Sequence, residues 1–364
     1  AAKWDEDSHF PVDVIKATGE LGFLGLYSPE EYGGLGLSRL DASLIFEEMS
    51  KHCTSTTAFL TIHNMCAWML TSFGTEALAN EWGTKLTSGE MLASYCLTEP
   101  GHGSDAANLQ TTAKKETDDD GNEEYVLNGS KTFISGAGST DVLIVMARTG
   151  TTGPKGISCF MVPANLDGIS YGKKEDKMGW NSQPTRLITF EDVRIPAGYL
   201  IGDEGKGFTF AMKGLDGGRI NIASCSLGTA QAAVNQAQAY MLERKQFTKK
   251  LASFQALQFK LADMVTELIA ARQMVRLAAV KLDSKDPQAT AYCAMAKRFA
   301  TDVCFQICDE ALQLHGGYGY IKEYPLERHV RDSRVHRILE GTNEIMRLII
   351  SRKVLEEGAT EVII

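Results

Sequence analysis

EYVLNGSKTFISGAGSTDVLIVMART, residues 124 to 149, decides how the chain is divided. It is dense in β-branched and aromatic residues and is broken by Asn128-Gly129 and by the glycine-rich Gly136–Asp141 segment, the pattern of short strands separated by turns. The same texture continues in ISCFMVPA (157 to 164) and RLITFEDVRIP (186 to 196), so residues 93–205 are expected to form a β-sandwich or barrel. Within it, Asp118-Asp119-Asp120-Gly121-Asn122 reads as a solvated hairpin loop, and its spacing is poor for calcium.

Outside this region the period changes from two to that of a helix. In residues 1–92, the run Asp41–Ser50 places Leu44, Ile45, Phe46 and Met49 at helical spacing. The preceding Gly33-Gly34-Leu35-Gly36 is a turn, because it follows no clear strand and lacks the spacing of a dinucleotide-binding glycine loop. In residues 206–364 the longest pattern is 254–282, where Leu257, Leu261, Met264, Val265, Leu268, Val275 and Leu282 approach a 3.6-residue period until Asp283–Pro287 stops it. A helix of that length, about 43 Å at 1.5 Å per residue, is expected to pack in a bundle. The expected architecture is α+β: an N-terminal helical part, a middle β part and a C-terminal helical bundle.

Composition narrows the function. The 364 residues exceed what one core usually serves. With 44% hydrophobic and 23% charged residues and no apolar run near bilayer length, the chain reads as globular and not membrane-inserted. A net charge of −9 argues against non-specific nucleic-acid binding and favours small-molecule partners. The eight cysteines lie in apolar or helical contexts without CxxC pairs or zinc-like Cys/His spacing, and read as reduced core residues. His63, His315 and His336 are likewise expected to be packed or hydrogen-bonded, and no metal site is expected. No targeting peptide is visible, and the first residue is not Met, as in a processed or truncated chain.

Several stretches hold residues that a core alone does not require. YCLTEPGHGSDA (Tyr95–Ala106) ends a strand at Thr98 and then offers Gly101, Gly103 and Ser104, a turn around Pro100 whose amides and hydroxyl can meet a polar ligand. KTFISGAG (Lys131–Gly138) sets Phe133 and Ser135 on one face of a strand, suited to ordinary sheet packing or to a flat heteroaromatic ring. LDGGRI (Leu215–Ile220) is read as the start of a long helix with Asp216 as N-cap and Arg219 one turn in. QLHGGYGY (Gln313–Tyr320) ends a helix in glycines, which also permit close approach of a ligand to the backbone. Finally, RVHRILEGTNEIMR (Arg334–Arg347) places Glu340 between Ile338-Leu339 and Gly341, either at a solvated helix end or as a base held in a pocket.

Taken together, Thr98-Glu99-Pro100-Gly101-x-Gly103-Ser104-Asp105, Arg244-Lys245-x-Phe247, Gln313-x-His315-Gly316-Gly317-x-Gly319-Tyr320, Arg331-Asp332 and Glu340-Gly341-Thr342 resemble the acyl-CoA dehydrogenase family in order and spacing over nearly the whole chain. The resemblance implies three domains, here 1–92, 93–205 and 206–364, the last a four-helix bundle. It also implies FAD bound without a Rossmann motif. Tyr95, Leu97, Thr98, Gly103, Ser104, Phe133, Ile134 and Ser135 would then meet the flavin, with Thr342 and Glu344 beside it. Arg244, Phe254, Gln255, Gln313, Gly316 and Gly317 would serve the pyrophosphate and adenosine from a neighbouring subunit, which makes a homotetramer the expected assembly.

The resemblance makes Glu340 the catalytic base that removes the α-proton, with hydride leaving the β-carbon for flavin N5. It places Ser104, Asp216, Gly217, Gly218, Arg219 and Arg352 at the acyl-CoA. Relatives that carry the base on the Asp216 helix have glycine at the Glu340 position; here Gly218 occupies the alternative one. IHNMCAWM, GWNSQPTR and LDGGRINIASCSLG are most similar to members acting on isobutyryl-CoA, with methacrylyl-CoA as product; 2-methylbutyryl-CoA or a short straight chain is the alternative. Electron-transferring flavoprotein is the implied acceptor and the mitochondrial matrix the implied location. A flavin oxidase or a non-catalytic binding relative of the same fold remains the contrasting reading. Three departures stand out: Leu339 replaces a tyrosine found beside the base in straight-chain members, Thr248 stands where glycine is usual, and Trp4-Asp5 already match the end of the family's first helix.

Overall fold

A computed structural model describes residues 1–357. Helices α1 (Ala2–Glu6), α2 (Val12–Ala17), α3 (Arg39–Ser50), α4 (Thr54–Phe73) and α5 (Glu76–Thr87) come first. Strands β1 (Ala93–Cys96), β2 (Thr112–Thr117), β3 (Glu123–Ser135), β4 (Val142–Arg148), β5 (Ile157–Pro163), β6 (Ile169–Tyr171), β7 (Thr185–Pro196) and β8 (Leu200–Ile201) follow. Helix α6 (Gly207–Glu243), a hairpin of β9 (Lys245–Gln246) and β10 (Lys249–Lys250), then α7 (Gln255–Asp283), α8 (Ala289–His315), α9 (Gly317–Tyr320), α10 (Leu326–Arg334) and α11 (Asn343–Glu357) complete the described residues. The helical, β, helical order is the expected one.

The strands run β6-β7-β3-β2-β4-β5-β8, with β1 parallel to β4. Strands β2 and β4 meet through one parallel pair, Thr112 with Arg148, so the sheet folds there into two leaves. Leu127 and Ile134 of β3, Phe190 and Val193 of β7, Leu143 and Val145 of β4 and Phe160 of β5 share one core between the leaves. The other face of β4, through Val142, Ile144 and Met146, packs with Met65, Met69 and Leu70 of α4. Buried on both sides, β4 therefore reads as a continuous apolar run rather than an alternating one.

Helices α6, α7 and α8 close a second core around Leu227, Ala230, Leu268, Val275, Ala300 and Cys304. The residues that α6 and α8 give to this core are mostly small: Ala223, Ala230 and Ala233 of the one, Ala296, Ala300 and Cys304 of the other. On α7, Met264, Leu268 and Val275 are buried as the period predicts, whereas Val265 faces outward. Leu44 of α3 is likewise exposed while Phe46 is buried. Helix α3 begins with a reciprocal cap, Ser38 Oγ accepting from Asp41 N at 3.0 Å and Asp41 Oδ2 accepting from Ser38 N.

Two local expectations are corrected. Strand β1 stops at Cys96, two residues before Thr98. Asp216 is not an N-cap: α6 starts at Gly207, and Asp216 lies inside it. An Asp followed by two glycines has the composition of a helix start, but tertiary packing carries this helix straight through.

Candidate active site

Glu340 and Gly341 adopt left-handed backbone, with φ of +57° and +87°. Such a dihedral is uncommon for glutamate and marks a conformation held by its surroundings. The turn lies between the short helix at Val335–Arg337 and α11, and it aims the carboxylate inward. Glu340 Oε2 is buried without a hydrogen-bond partner among the described residues. Burial pushes the carboxyl up to about 7, with the positive charges of Arg219 and Lys297 opposing that rise.

Room for this carboxylate comes from α6. A Cβ at Gly218 would overlap Glu340 Oε2 and stand 2.8 Å from its carboxyl carbon. Gly217 gives the same kind of room to Arg39, whose guanidinium carbon would be 2.9 Å from an added Cβ and which lies 3.5 Å from the Tyr27 ring centroid. Arg219 Nη1 donates to Asp216 Oδ1 at 2.6 Å, and Thr290 Oγ1 donates to Asp216 Oδ2 at 2.7 Å. The Arg219 guanidinium also reaches the Glu340 carbonyl oxygen, at 3.4 Å. Of these α6 positions, Gly218 and Arg219 meet the Glu340 segment directly, while Gly217 makes room for Arg39 and Asp216 holds Arg219.

The β side of the site is fixed by a buried pair. Lys131 Nζ, fully buried, donates to Glu99 Oε1 at 2.8 Å and to the Leu97 carbonyl at 3.1 Å. Glu99 also accepts from Gln110 N and Thr111 N, and the Thr98 carbonyl accepts from Thr132 N at 2.9 Å. The 97–99 segment is thereby pinned against β3. There a register shift between Lys131 and Ile134 brings Phe133 to φ +57° and leaves it 67% exposed, while Ile134 is buried and Ser135 half-buried. Tyr95 Oη is buried without a partner among the described residues, and its phenol is raised by burial and by nearby negative charge that includes Glu340.

These features fit a flat, phosphate-bearing cofactor such as FAD. An added Cβ would meet nothing within 4 Å at Gly101 or Gly103, so the backbone beside exposed Phe133 and Ser104 is open to a ligand. The same openness holds at Gly316 and Gly317. Those two line a cleft of about 720 Å³ with Arg244, Gln313, Tyr240 and His315. His315 stacks on Tyr240, with centroids 4.2 Å apart, and its Nε2 has no partner among the described residues. None of the β-side residues lines this cleft, and neither do Phe254 and Gln255, which stand at the start of α7. Thr342 is half-buried and Glu344 exposed just after Glu340; Arg352 is exposed on α11.

The β9–β10 turn carries φ +49° at Phe247 and +67° at Thr248, so threonine holds a conformation that glycine favours. His63 and His336 are packed and hydrogen-bonded, to Leu86 O and Ser226 Oγ. All eight cysteines are free, with only Cys53 less than fully buried. Lys297 escaped the sequence reading. The signal was its place on the buried stripe of α8, between Cys293 and Ala300, where a lysine is out of character.

The matching family descriptions are acyl-CoA dehydrogenase N-terminal domain over residues 1–90, middle domain over 94–193 and C-terminal domain over 205–355. Among curated proteins, the mitochondrial isobutyryl-CoA dehydrogenase of Bos taurus is 54% identical over 98% of this chain and 84% of its own. That of Dictyostelium discoideum is 56% identical over 98% of this chain and 85% of its own. Among solved structures, butyryl-CoA dehydrogenase from Megasphaera elsdenii superposes with a TM-score of 0.93 at 41% identity, covering 98% of this chain and 93% of that one.

Proposed function

From the premise that the chain belongs to the acyl-CoA dehydrogenase family, we propose that it oxidises isobutyryl-CoA to methacrylyl-CoA with Glu340 as the base. The observation that carries this reading is the Glu340 carboxyl: its Oε2 is buried without a partner among the described residues, and the group is raised to about 7 and given space by Gly218. A base of that strength takes a proton from a weak carbon acid near neutral pH once the developing charge is stabilised, and burial of its carboxyl oxygen keeps it basic. Arg219 and Lys297 limit how far the carboxyl rises, so it is ionised in a useful fraction before substrate binds. The Glu340 amide, turned by the left-handed backbone, is assigned to the thioester carbonyl, which stabilises the charge that develops there.

FAD, when bound, accepts the β-hydride. Tyr95, Leu97, Thr98, Gly103, Ser104, Phe133, Ile134 and Ser135 are assigned to its flavin end, with Thr342 and Glu344 beside them. Arg244, Phe254, Gln255, Gln313, Gly316 and Gly317 of another copy are assigned to its phosphate and adenosine end. The separation of the two groups in one chain supports that division and an oligomer, which we take to be a homotetramer; exposed Phe259, Ile269 and Leu277 on α7 offer it apolar surface. Ser104, Asp216, Arg219 and Arg352 are assigned to the acyl-CoA, with Gly217 and Gly218 providing clearance. The same reading sets domain limits at 1–92, 93–205 and 206–364, takes electron-transferring flavoprotein as acceptor, and places the protein in the mitochondrial matrix by analogy with the two relatives. No helix among the described residues is long and apolar enough to cross a membrane.

Anaerobic titration of the FAD-loaded protein with isobutyryl-, 2-methylbutyryl- and butyryl-CoA, following oxidised-flavin absorbance, tests the proposal. Fastest bleaching with isobutyryl-CoA is expected. Bleaching by none of the three overturns it.

A further inference from the structure

We propose that Lys297 is a positioning residue for the base: from the buried face of α8 its ammonium holds the Gly341 carbonyl and Asn343, and so clamps the left-handed turn that presents Glu340. The inference rests on the reading of Glu340 as the base. Lys297 is fully buried, and the acceptors it reaches are the Gly341 carbonyl and Asn343 Oδ1, both at 2.8 Å. A lysine is rarely buried without a carboxylate in contact. Its neighbours on the α8 stripe are Cys293, Ala296, Ala300 and Cys304, so packing alone would be met by another small residue.

What an ammonium adds here is a donor directed at a carbonyl one residue past the base. Gly341 itself disfavours a side chain, since φ +87° is a backbone conformation that L residues rarely adopt, and an added Cβ would also displace the Met346 methyl, 2.7 Å away. The clamp extends to both sides of the turn. Asn343 Nδ2 donates to Thr301 Oγ1 at 3.0 Å and to Asp302 Oδ1 at 2.9 Å, and Asp302 Oδ1 also accepts from Arg337 Nε at 2.7 Å. One face of α8, through Lys297, Thr301 and Asp302, therefore grips the chain before and after Glu340.

The same placement gives Lys297 an electrostatic effect on the base. The groups that face Glu340 are Arg219 and Cys225 on α6, Lys297 on α8, Cys66 on α4 and Tyr95 on β1. Of these, Arg219 and Lys297 are the cations. Around Lys297 itself lie Glu340, Arg219, Asp302, Glu344 and His336. Burial draws the lysine down to about 7 while the Glu340 charge opposes that fall, so the two groups sustain each other's ionisation. Removing the cation leaves the carboxylate less stabilised, and its titration moves upward.

The test compares FAD-loaded wild type, Lys297→Met, Lys297→Gln and Glu340→Gln in anaerobic flavin reduction by saturating isobutyryl-CoA between pH 5.5 and 9. Lys297→Met loses donor and charge; its maximal rate near pH 7 is expected to fall at least about tenfold with little change in half-saturating substrate, because the base is displaced rather than the ligand. Its acid midpoint is expected to rise by about one unit. Lys297→Gln keeps a donor without charge, so it should regain rate at high pH while retaining the shifted midpoint. A readout independent of turnover is the melting temperature at pH 7, where both charged forms are populated, which Lys297→Met should lower less when Glu340→Gln is already present.

A Lys297→Met protein with wild-type rate and midpoint, beside an inactive Glu340→Gln, overturns the role of Lys297 alone. A Glu340→Gln protein that reduces flavin at the wild-type rate overturns the base and the clamp together. Should Lys297→Met fail to hold FAD, Lys297→Gln decides: a shifted midpoint supports the proposal and a wild-type one overturns it.

Discussion

Gly218 on α6 and Glu340 on the turn before α11 occupy one volume between them: the carboxylate lies where a side chain at 218 would begin. Replacing Gly218 by alanine therefore pits helix propensity against the site. Alanine should favour the helix by up to about 1 kcal/mol, yet its methyl must push the base aside. Gly218→Ala is expected to keep FAD and fold while losing roughly a hundredfold in flavin reduction, as a displacement of about 1 Å can cause. Reduction at the wild-type rate would mean that Glu340 is not held where the structure places it.

The raised carboxyl of Glu340 makes a linked prediction for activity and stability. Since the ionised form is the base, flavin reduction should rise with pH through a midpoint near 7. For folding the sign is opposite. A carboxyl whose folded value lies above 4.5 favours the native state in its protonated form, so its ionisation costs stability progressively between about pH 4.5 and 7 and fully above that range. Glu340→Gln should therefore abolish reduction and stabilise the protein by up to about 3 kcal/mol at pH 8, with little gain at pH 4.5. Denaturant unfolding of both forms at the two pH values measures this.

Glu340 is legible as a candidate base because its neighbours in sequence carry meaning in order: it precedes Gly341-Thr342, and glycine stands at 218, the alternative position that the family resemblance implies. What held it was less legible. Lys297 lies in an alanine-rich helix, and a helical lysine ordinarily reads as a solvated face; its burial depends on α8 being covered by the base segment, a contact between residues far apart in sequence. Asp216 was misread for the converse reason. Its DGG context has the local chemistry of a helix start, but the glycines are spent on clearance for Arg39 and Glu340, and the helix runs through them. The β leaves were readable from composition, whereas their fold at Thr112 and Arg148 depends on pairing that no single strand records.

Leu339 tests acyl selectivity. It packs partly buried with Trp180, Ala58, Ile222 and Cys225, directly before the base. A tyrosine there adds bulk beside the α-carbon, where isobutyryl-CoA carries its extra methyl. Leu339→Tyr is expected to lower kcat/KM for isobutyryl-CoA by roughly tenfold more than for butyryl-CoA, the scale of one methyl group in an apolar pocket. Equal losses on both substrates would remove Leu339 as a selectivity residue.

The Glu99–Lys131 pair should be worth more to the fold than any surface ion pair. Both side chains are buried, and Glu99 also holds the amides of Gln110 and Thr111. Lys131→Met strands a buried carboxylate and frees the Leu97 carbonyl, at a cost expected to be about 3–5 kcal/mol. Because that segment borders Phe133, loss of FAD should precede global unfolding; flavin fluorescence and circular dichroism recorded during one melt would separate the two events, and coincident transitions would contradict it.

Thr248 offers the opposite case, a substitution expected to help. At φ +67° it holds a left-handed conformation, which is strained for a β-branched residue and free for glycine. The turn is exposed, so little packing against the threonine offsets that strain. Glycine also costs more backbone entropy on folding, which offsets part of the relief, and the net gain for Thr248→Gly should be about 0.5–1 kcal/mol. Arg244 precedes this hairpin and lines the cleft assigned to the cofactor phosphates, so a better-formed turn should also tighten FAD. Thr248→Gly is expected to raise both the melting temperature and FAD retention on dilution. A gain in the first without the second would confine the hairpin to a structural role, and a loss in both would mean that the left-handed turn is not the conformation the protein adopts.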